Sequence, residues 1–211
     1  LLESDKMKES QAYWQKRLSG ELPVVDLPTD FPRPMFQAYR GSTVRFFLEK
    51  ERIAELRELA EKNNVTLFTT LLALVKTLMY RYTGQADIII GSPIAGRNHP
   101  DIEDQIGFYV NTLALRDSID GSENFSTLLS KVKQTVTEAY QHQMYPFDKL
   151  VEELNVQRDV SRSPIFDIMV VLQNDSRNQA SPTDLKIQPF EYETGISPFD
   201  LTFNFMEDQD G

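Results

Sequence analysis

The chain contains no cysteine, only two histidines and a single tryptophan in 211 residues. Without cysteine there is no disulfide framework, no thiol nucleophile and no cysteine-based zinc site. Basic residues are also outnumbered: 22 Lys and Arg stand against 32 Asp and Glu, for a net charge of -10. That balance argues against a nucleic-acid partner, which needs a basic patch. Long apolar runs are missing too, so no segment is expected to span a bilayer and no membrane partner is expected. Leu1-Leu2-Glu3-Ser4-Asp5 has neither the basic nor the apolar region of a signal peptide. A cytoplasmic location is the expectation, in keeping with the absence of cysteine. Both ends read as cuts from a longer chain.

What is present is ordinary globular composition, with 40% hydrophobic and 26% charged residues. Met7 to Leu18 reads as a helix stopped by Gly20. Leu22 to Pro34 holds four prolines and reads as an extended linker wrapped on a surface. Gly41 to Leu48 alternates as a strand with Val44, Phe46 and Leu48 on one face. Lys50 to Asn63 is an amphipathic helix with Ile53, Leu56 and Ala60 inward. Val65 to Tyr82 carries two adjacent seams, Leu67-Leu71-Leu74-Leu78 and Phe68-Leu72-Val75-Met79. It therefore reads as a central helix buried on most sides, ended by Gly84.

Ala86 to Ile90 is a β-branched run bounded by Gly91 and Pro93, which predicts a buried strand. Ser92 to Gln105 reads as a long loop with one helical turn. Phe108 to Arg116 predicts another strand. Phe125 to Gln141 is an amphipathic helix with Phe125, Leu129, Val132, Val136 and Tyr140 inward. Pro146 suits the first turn of a short helix through Leu154. Strands are expected at Ile165 to Leu172, Leu185 to Tyr192 and Phe199 to Phe205. Polar Asn174 to Thr183 reads as a mobile loop. The fold class is α/β, a mixed sheet with flanking helices. Residues 1–40 form a helix and wrapping linker, and residues 41–211 the α/β lobe.

Candidate chemistry is sparse. His99 precedes a proline in a polar loop and His142 follows a helix. Neither sits in a triad or metal-ligand spacing, so both read as surface or capping residues, and no metal site is expected. The acidic pairs Glu152-Glu153 and Glu103-Asp104 read as solvated faces. No phosphate-binding, dinucleotide or nucleophile-elbow motif is present. Residues alone give an α/β domain with no visible active site.

Three ordered segments add more. Ile106-Gly107-Phe108-Tyr109-Val110-Asn111-Thr112 resembles the I-G-x-F-V-N-T motif of condensation domains of nonribosomal peptide synthetases. In this chain Phe108 follows Gly107 directly, and Tyr109 replaces the usual Phe. His142-Gln143-Met144-Tyr145-Pro146-Phe147-Asp148 resembles H-Q-x-Y-P-F-E. Arg158-Asp159-Val160-Ser161-Arg162-Ser163-Pro164-Ile165 resembles R-D-x-S-R-N-P-L. Gly91-Ser92-Pro93-Ile94-Ala95-Gly96-Arg97 is similar to a G-x-P-x-x-x-R loop of the same family. Val171 to Asn174 and Ser197 to Leu201 also look like family elements.

The resemblance implies a two-lobed, chloramphenicol-acetyltransferase-like enzyme that forms amide bonds between thioester-bound substrates. It also implies that the catalytic His belongs to an H-H-x-x-x-D-G motif in an N-terminal lobe. This sequence has no His-His pair, so it is expected to be the C-terminal, acceptor-side lobe, with no catalytic residue of its own and no activity alone. The donor and acceptor are expected to be L-configured.

The implied cofactor is the phosphopantetheine arm of each carrier protein, with none bound directly. The implied partners are the N-terminal lobe, peptidyl carrier proteins and a neighbouring adenylation domain. Asn111, Tyr109 and Gly107 are the candidate channel residues. Arg97 and Arg45 are candidates for the lobe junction, with an ion pair from Arg97 to the Asp of the absent motif. Arg158, Asp159 and Arg162 are expected to form a structural charge cluster. Asn111 also has a purely structural reading, in which its amide ties down a neighbouring loop. A second reading of the whole chain is a non-catalytic docking module. The late apolar strand from Phe199 is expected to need a cover, and the fragment to self-associate.

Overall fold

A computed structural model describes residues 4–97, 100–103, 105–156, 159–173, 190 and 192–207. Helix α1 (Asp5–Arg17) starts where the Ser4 hydroxyl accepts from the Met7 N–H, with Asp5 in its first turn and Lys16 and Arg17 in its last. These charges oppose the helix dipole at each end. Met7, Ser10 and Trp14 form its buried stripe. The following linker runs extended. Arg116 donates to the carbonyls of Ser19 and Glu21, and the Gln85 amide bonds both Val24 and Asp26.

Helix α2 (Lys50–Lys62) turns Ile53, Leu56 and Ala60 toward the protein as its periodicity predicts, with only Ala60 fully buried. Helix α3 (Leu67–Thr83) is capped by Thr66, whose hydroxyl accepts from the Thr69 N–H, and ends at Gly84 with φ 70°. Its left-handed terminus suits glycine. One seam lies where expected: Leu72, Val75 and Met79 are buried. The other does not, since Leu74 and Leu78 are more than a third exposed. The helix packs on α2, on the sheet and on α5, which leaves one side to solvent.

Strand β1 (Asp87–Ile94) is longer than its apolar core. Gly91 and Pro93 lie inside it rather than bounding it. Pro93 pairs with Thr112 near the strand end, beyond the single parallel pairing of Gly91 with Met169. A prolyl nitrogen is tolerated at such an end. Gly91 is required by packing, because a Cβ there would sit 2.1 Å from the Phe166 ring.

The short helix α4 (Pro100–Glu103) supplies the expected helical turn. Strand β2 (Asn111–Ser118) begins three residues later than its pattern predicts, so Asn111 opens the strand instead of lying mid-strand. Helix α5 (Phe125–Gln141) is capped by Asn124 and buries Leu129, Val132 and Val136. Ala139 completes that face, whereas Tyr140 is 43% exposed. Helix α6 (Phe147–Glu153) has Pro146 at its N-cap, one place before the first turn.

Strands β3 (Ile168–Gln173) and β4 (Leu201–Met206) complete a four-stranded sheet of order β2-β1-β3-β4. The sheet is mixed: β1 pairs antiparallel with β2, while β1–β3 and β3–β4 are parallel. Leu201, Phe203 and Phe205 alternate inward against the core, so that face of β4 is already covered by this chain.

The Gly41 to Leu48 segment is the main departure from the expected elements. Among the described residues it has no strand partner; the one antiparallel bridge, Arg40 to Ile196, lies just before it, and Phe46 and Phe47 are 85% and 93% exposed. The expected Leu185–Tyr192 strand lies largely, and the Asn174–Thr183 loop wholly, outside the described residues.

Candidate functional site

The loop between β1 and β2 is folded around one guanidinium. Arg97 Nη1 donates to the carbonyls of Ile102 (2.6 Å), Gln105 (2.6 Å) and Glu103 (3.4 Å), and Nη2 to Gly107 (3.1 Å). Its charged carbon lies 4.6 Å from the centre of the Tyr109 ring, a cation–π distance. The Tyr109 hydroxyl donates to Gln105 Oε1 at 2.6 Å, and Gln105 Nε2 to the Asp101 carbonyl at 2.7 Å. Gly96 makes the close approach possible: its φ is +66°, and a Cβ would fall 1.9 Å from the Tyr109 carbonyl oxygen. Within this scaffold Ile106, Phe108 and Val110 face solvent, at 104%, 89% and 47% exposure.

Asn111 ties the start of β2 to the turn before α6. Its Nδ2 donates to the carbonyls of Gln143 and Tyr145, both at 2.8 Å, and its Oδ1 accepts from the Phe147 N–H at 3.0 Å. One side chain thus satisfies three main-chain groups of that turn. His142, one residue before it, is the C-cap of α5 and stacks on Tyr13 at 4.3 Å.

The Ser10 hydroxyl lies 3.0 Å from both His142 Nδ1 and the Lys6 carbonyl. Its one proton goes to the carbonyl when Nδ1–H is the donor to Ser10. Ser10 is only 3% exposed. A buried hydroxyl committed to a helix carbonyl is not an activated nucleophile, so the contact holds α1 in place. Trp14 Nε1 donating to the His142 carbonyl at 3.0 Å does the same.

Two of the residues expected in a charge cluster before β3, Asp159 and Arg162, make charged contacts there. Arg162 Nη1 donates to Asp167 Oδ2 at 2.7 Å, and Asp159 accepts from the Ser161 N–H at 2.8 Å and hydroxyl at 2.7 Å. The Ser161 bonds hold the Asp159 carboxyl below the ordinary aspartate range. Burial pushes Asp167 up, against the opposing Arg162 charge. Arg33 joins the group through a two-pronged pair with Asp200 and a bond to the Ser161 carbonyl. Arg158 and His99 lie outside the described residues, and Arg45 is exposed. Among the described residues no group of acidic, His or Cys side chains could hold a metal ion.

The Condensation domain family model matches residues 1–211. The chain belongs to the condensation domain family. It is 44% identical to tyrocidine synthase 3 of Brevibacillus parabrevis over 100% of its own length, and 44% identical to bacitracin synthase 3 of Bacillus licheniformis over 99%. It spans only 3% of either synthase.

Among solved structures, the fold superposes on the X-domain from teicoplanin biosynthesis with TM-score 0.84 at 24% identity, covering 99% of this chain and 47% of that one. The condensation domain of the monacolin K polyketide synthase gives TM-score 0.79 at 22% identity, covering 98% and 50%. A four-domain nonribosomal peptide synthetase bound to AMP and glycine gives 0.86 at 24%, covering 98% and 17%. The sheet with flanking helices is therefore a condensation-domain fold, of the chloramphenicol-acetyltransferase type. No described helix is long and apolar enough to cross a membrane.

Within this condensation-domain fold, the geometry brings Gly107 and Tyr109 together with Arg97 in one loop, and joins Asn111 to the turn before α6. It keeps Arg162 and Asp159 in a separate cluster. Sequence reasoning missed a buried ionic core. Lys76, fully buried on α3, lies 2.9 Å from Asp117 Oδ2 and donates to the Leu115 carbonyl at 2.7 Å. Asp117 also accepts from the Thr135 hydroxyl at 2.5 Å and faces Arg17 at 3.5 Å. Burial drives the Lys76 pKa down, and the Asp117 charge opposes that shift. The available signal was one lysine inside an otherwise apolar helix.

Proposed function

We propose that the chain is the C-terminal, acceptor-side lobe of a nonribosomal peptide synthetase condensation domain. In that enzyme the amine of an aminoacyl thioester attacks the thioester of a donor chain, forming an amide and releasing the donor's carrier thiol. Both substrates ride on phosphopantetheine arms of peptidyl carrier proteins, and a neighbouring adenylation domain loads the acceptor. The base is the His of H-H-x-x-x-D-G in an N-terminal lobe, since this sequence contains no adjacent histidines.

The observation that carries this reading is the whole-chain family match, combined with coverage of about half of solved condensation-type chains. The work assigned to this lobe is positioning. The Asn111-braced turn and the Arg97 loop form one wall of the channel in which the tethered groups meet, and proximity supplies much of the rate. Arg97 and Arg45 are the proposed residues of the lobe junction, although the Arg97 guanidinium is engaged by carbonyls of its own loop. Localisation is cytoplasmic, where carrier-bound intermediates and reduced thiols coexist.

The test is a mass-spectrometric assay with loaded donor and acceptor carrier proteins. The chain alone should give no dipeptidyl product above background, and the domain containing both lobes should give it. Product from the chain alone would overturn the assignment of the base. A second reading, a docking module, draws on the X-domain of teicoplanin biosynthesis, which has a similar fold and is found in complex with OxyB. Binding of a partner enzyme by the two-lobed domain, with no condensation, would favour it.

A further inference from the structure

Resting on that reading, we infer that Arg97 is the positioning residue of the channel wall: its guanidinium holds segment 105–110 in the shape that presents Ile106, Phe108 and Val110. The segment has an unusual arrangement for a surface loop. Its apolar side chains are exposed to water while the carbonyls of Gln105 and Gly107 both turn onto Arg97. A loop with three exposed apolar side chains would ordinarily collapse them onto the nearest surface. Here the carbonyls of Gln105 and Gly107 resist that, because both are already bound to the same cation.

The arrangement depends on arginine's shape. A planar fork can serve carbonyls on two sides and stack on Tyr109 at once; an ammonium is a point charge that can do neither together. Two glycines leave room for it. A Cβ at Gly96 would strike the Tyr109 carbonyl, and one at Gly107 would come within 2.9 Å of the Tyr109 ring. Tyr109 and Gln105 then lock the ring side of the loop through their 2.6 Å bond. A wall preformed in this way needs no ordering when a tethered substrate arrives, which is where preorganisation gains affinity.

The experiment uses the full synthetase module, with hydrogen exchange and steady-state condensation kinetics measured on the same preparations. Arg97→Lys keeps the charge and removes the fork. Amides of residues 101–110 should exchange about tenfold faster or more while the β1–β2 ladder stays protected. KM for the loaded acceptor carrier should rise about tenfold with kcat changed less than about twofold. Phe108→Ser, at a fully exposed position, should leave exchange unchanged and raise KM similarly. Unchanged exchange in Arg97→Lys would overturn the holding role. A fall in kcat at constant KM would mark Arg97 as merely structural. Faster exchange with unaltered kinetics would show that the loop is no part of the wall, with the condensation reading intact. A wild-type module that makes no product would sink that reading and the wall's function with it.

Discussion

At the residue scale, two polar side chains carry unusual weight. Lys76 and Asp117 are both buried and pair at 2.9 Å. Removing Lys76 leaves Asp117 with only the Thr135 hydroxyl and the more distant Arg17 at 3.5 Å, and breaking a buried pair costs up to roughly 3–5 kcal/mol. Lys76→Met should therefore lower the denaturant-derived stability by about that amount, whereas the double variant with Asp117→Asn should recover much of it. A double variant no more stable than Lys76→Met would show that the pair is not coupled. Asn111 acts differently, because its partners are main-chain groups. Asn111→Ala leaves the Gln143 and Tyr145 carbonyls and the Phe147 N–H short of a partner, a loss of about 1–3 kcal/mol. Asn111→Asp should be worse than its near-identical shape suggests, since a carboxylate would face two carbonyl oxygens. Chemical denaturation of the three proteins checks that order. The family motif pointed to Asn111, but only tertiary contact shows what its amide holds. Lys76 and Asp117 lie far apart in sequence, on a helix and a strand, and no local pattern links them.

At the scale of elements, hydrophobic periodicity located most helices, and the structure adds the caps that set their starts. Ser4, Thr66 and Asn124 each begin a helix through a side-chain oxygen, and Gly84 ends one. Strand limits were less legible, because pairing and not composition decides them. β1 runs on through Gly91 and Pro93 since β2 continues beside it. The docking of α1 was not legible at all, and it rests partly on Glu153 of α6. That carboxylate receives the Tyr145 hydroxyl at 2.6 Å and the side-chain amides of Gln11 and Gln15 at 2.9 and 3.4 Å. Burial pushes its pKa up, but these hydrogen bonds and the Lys149 charge outweigh burial and hold it below the ordinary glutamate value. A depressed folded-state pKa means that Glu153 contributes stability above its unfolded-state pKa, and that the contribution is lost as pH falls through the folded value. Acid should therefore loosen α1 from α6. Thermal unfolding between neutral and acidic pH should show a steeper decline for the wild type than for Glu153→Gln, which cannot titrate. Equal slopes would assign the acid sensitivity to other carboxylates.

At the scale of the whole molecule, the folded core accounts for one set of apolar residues and leaves another outside. The sheet and α1, α3, α5 and α6 bury a continuous cluster from Met7 to Val170. Yet Phe31, Met35, Phe36, Val44, Phe46, Phe47, Phe190 and Tyr192 are each more than two-thirds exposed. Four of them would meet if the register of one observed bridge were continued. In the register of the Arg40–Ile196 bridge, Val44 would stand opposite Tyr192 and Phe46 opposite Phe190. All four then share one face, because the strand period is two. A two-stranded ribbon with an uncovered aromatic face is not stable in water by itself. Among the described residues, Gly41 to Leu48 keeps its alternating pattern without a ladder beyond the adjoining Arg40–Ile196 bridge, and its apolar side chains stand exposed. The edge of β4 adds a second open surface among the described residues. We therefore expect the chain alone to self-associate as concentration rises, and a separately expressed N-terminal lobe to compete by covering the same face. Sedimentation velocity across a concentration series, with and without that lobe, measures both effects. Phe46→Ser with Phe190→Ser should weaken self-association and lobe binding together, since one surface serves both. If the double variant still self-associates but no longer binds the lobe, the two surfaces are separate and the β4 edge becomes the site of self-association. A wild-type chain that stays monomeric and ignores the lobe would show that the exposed aromatic residues serve neither contact.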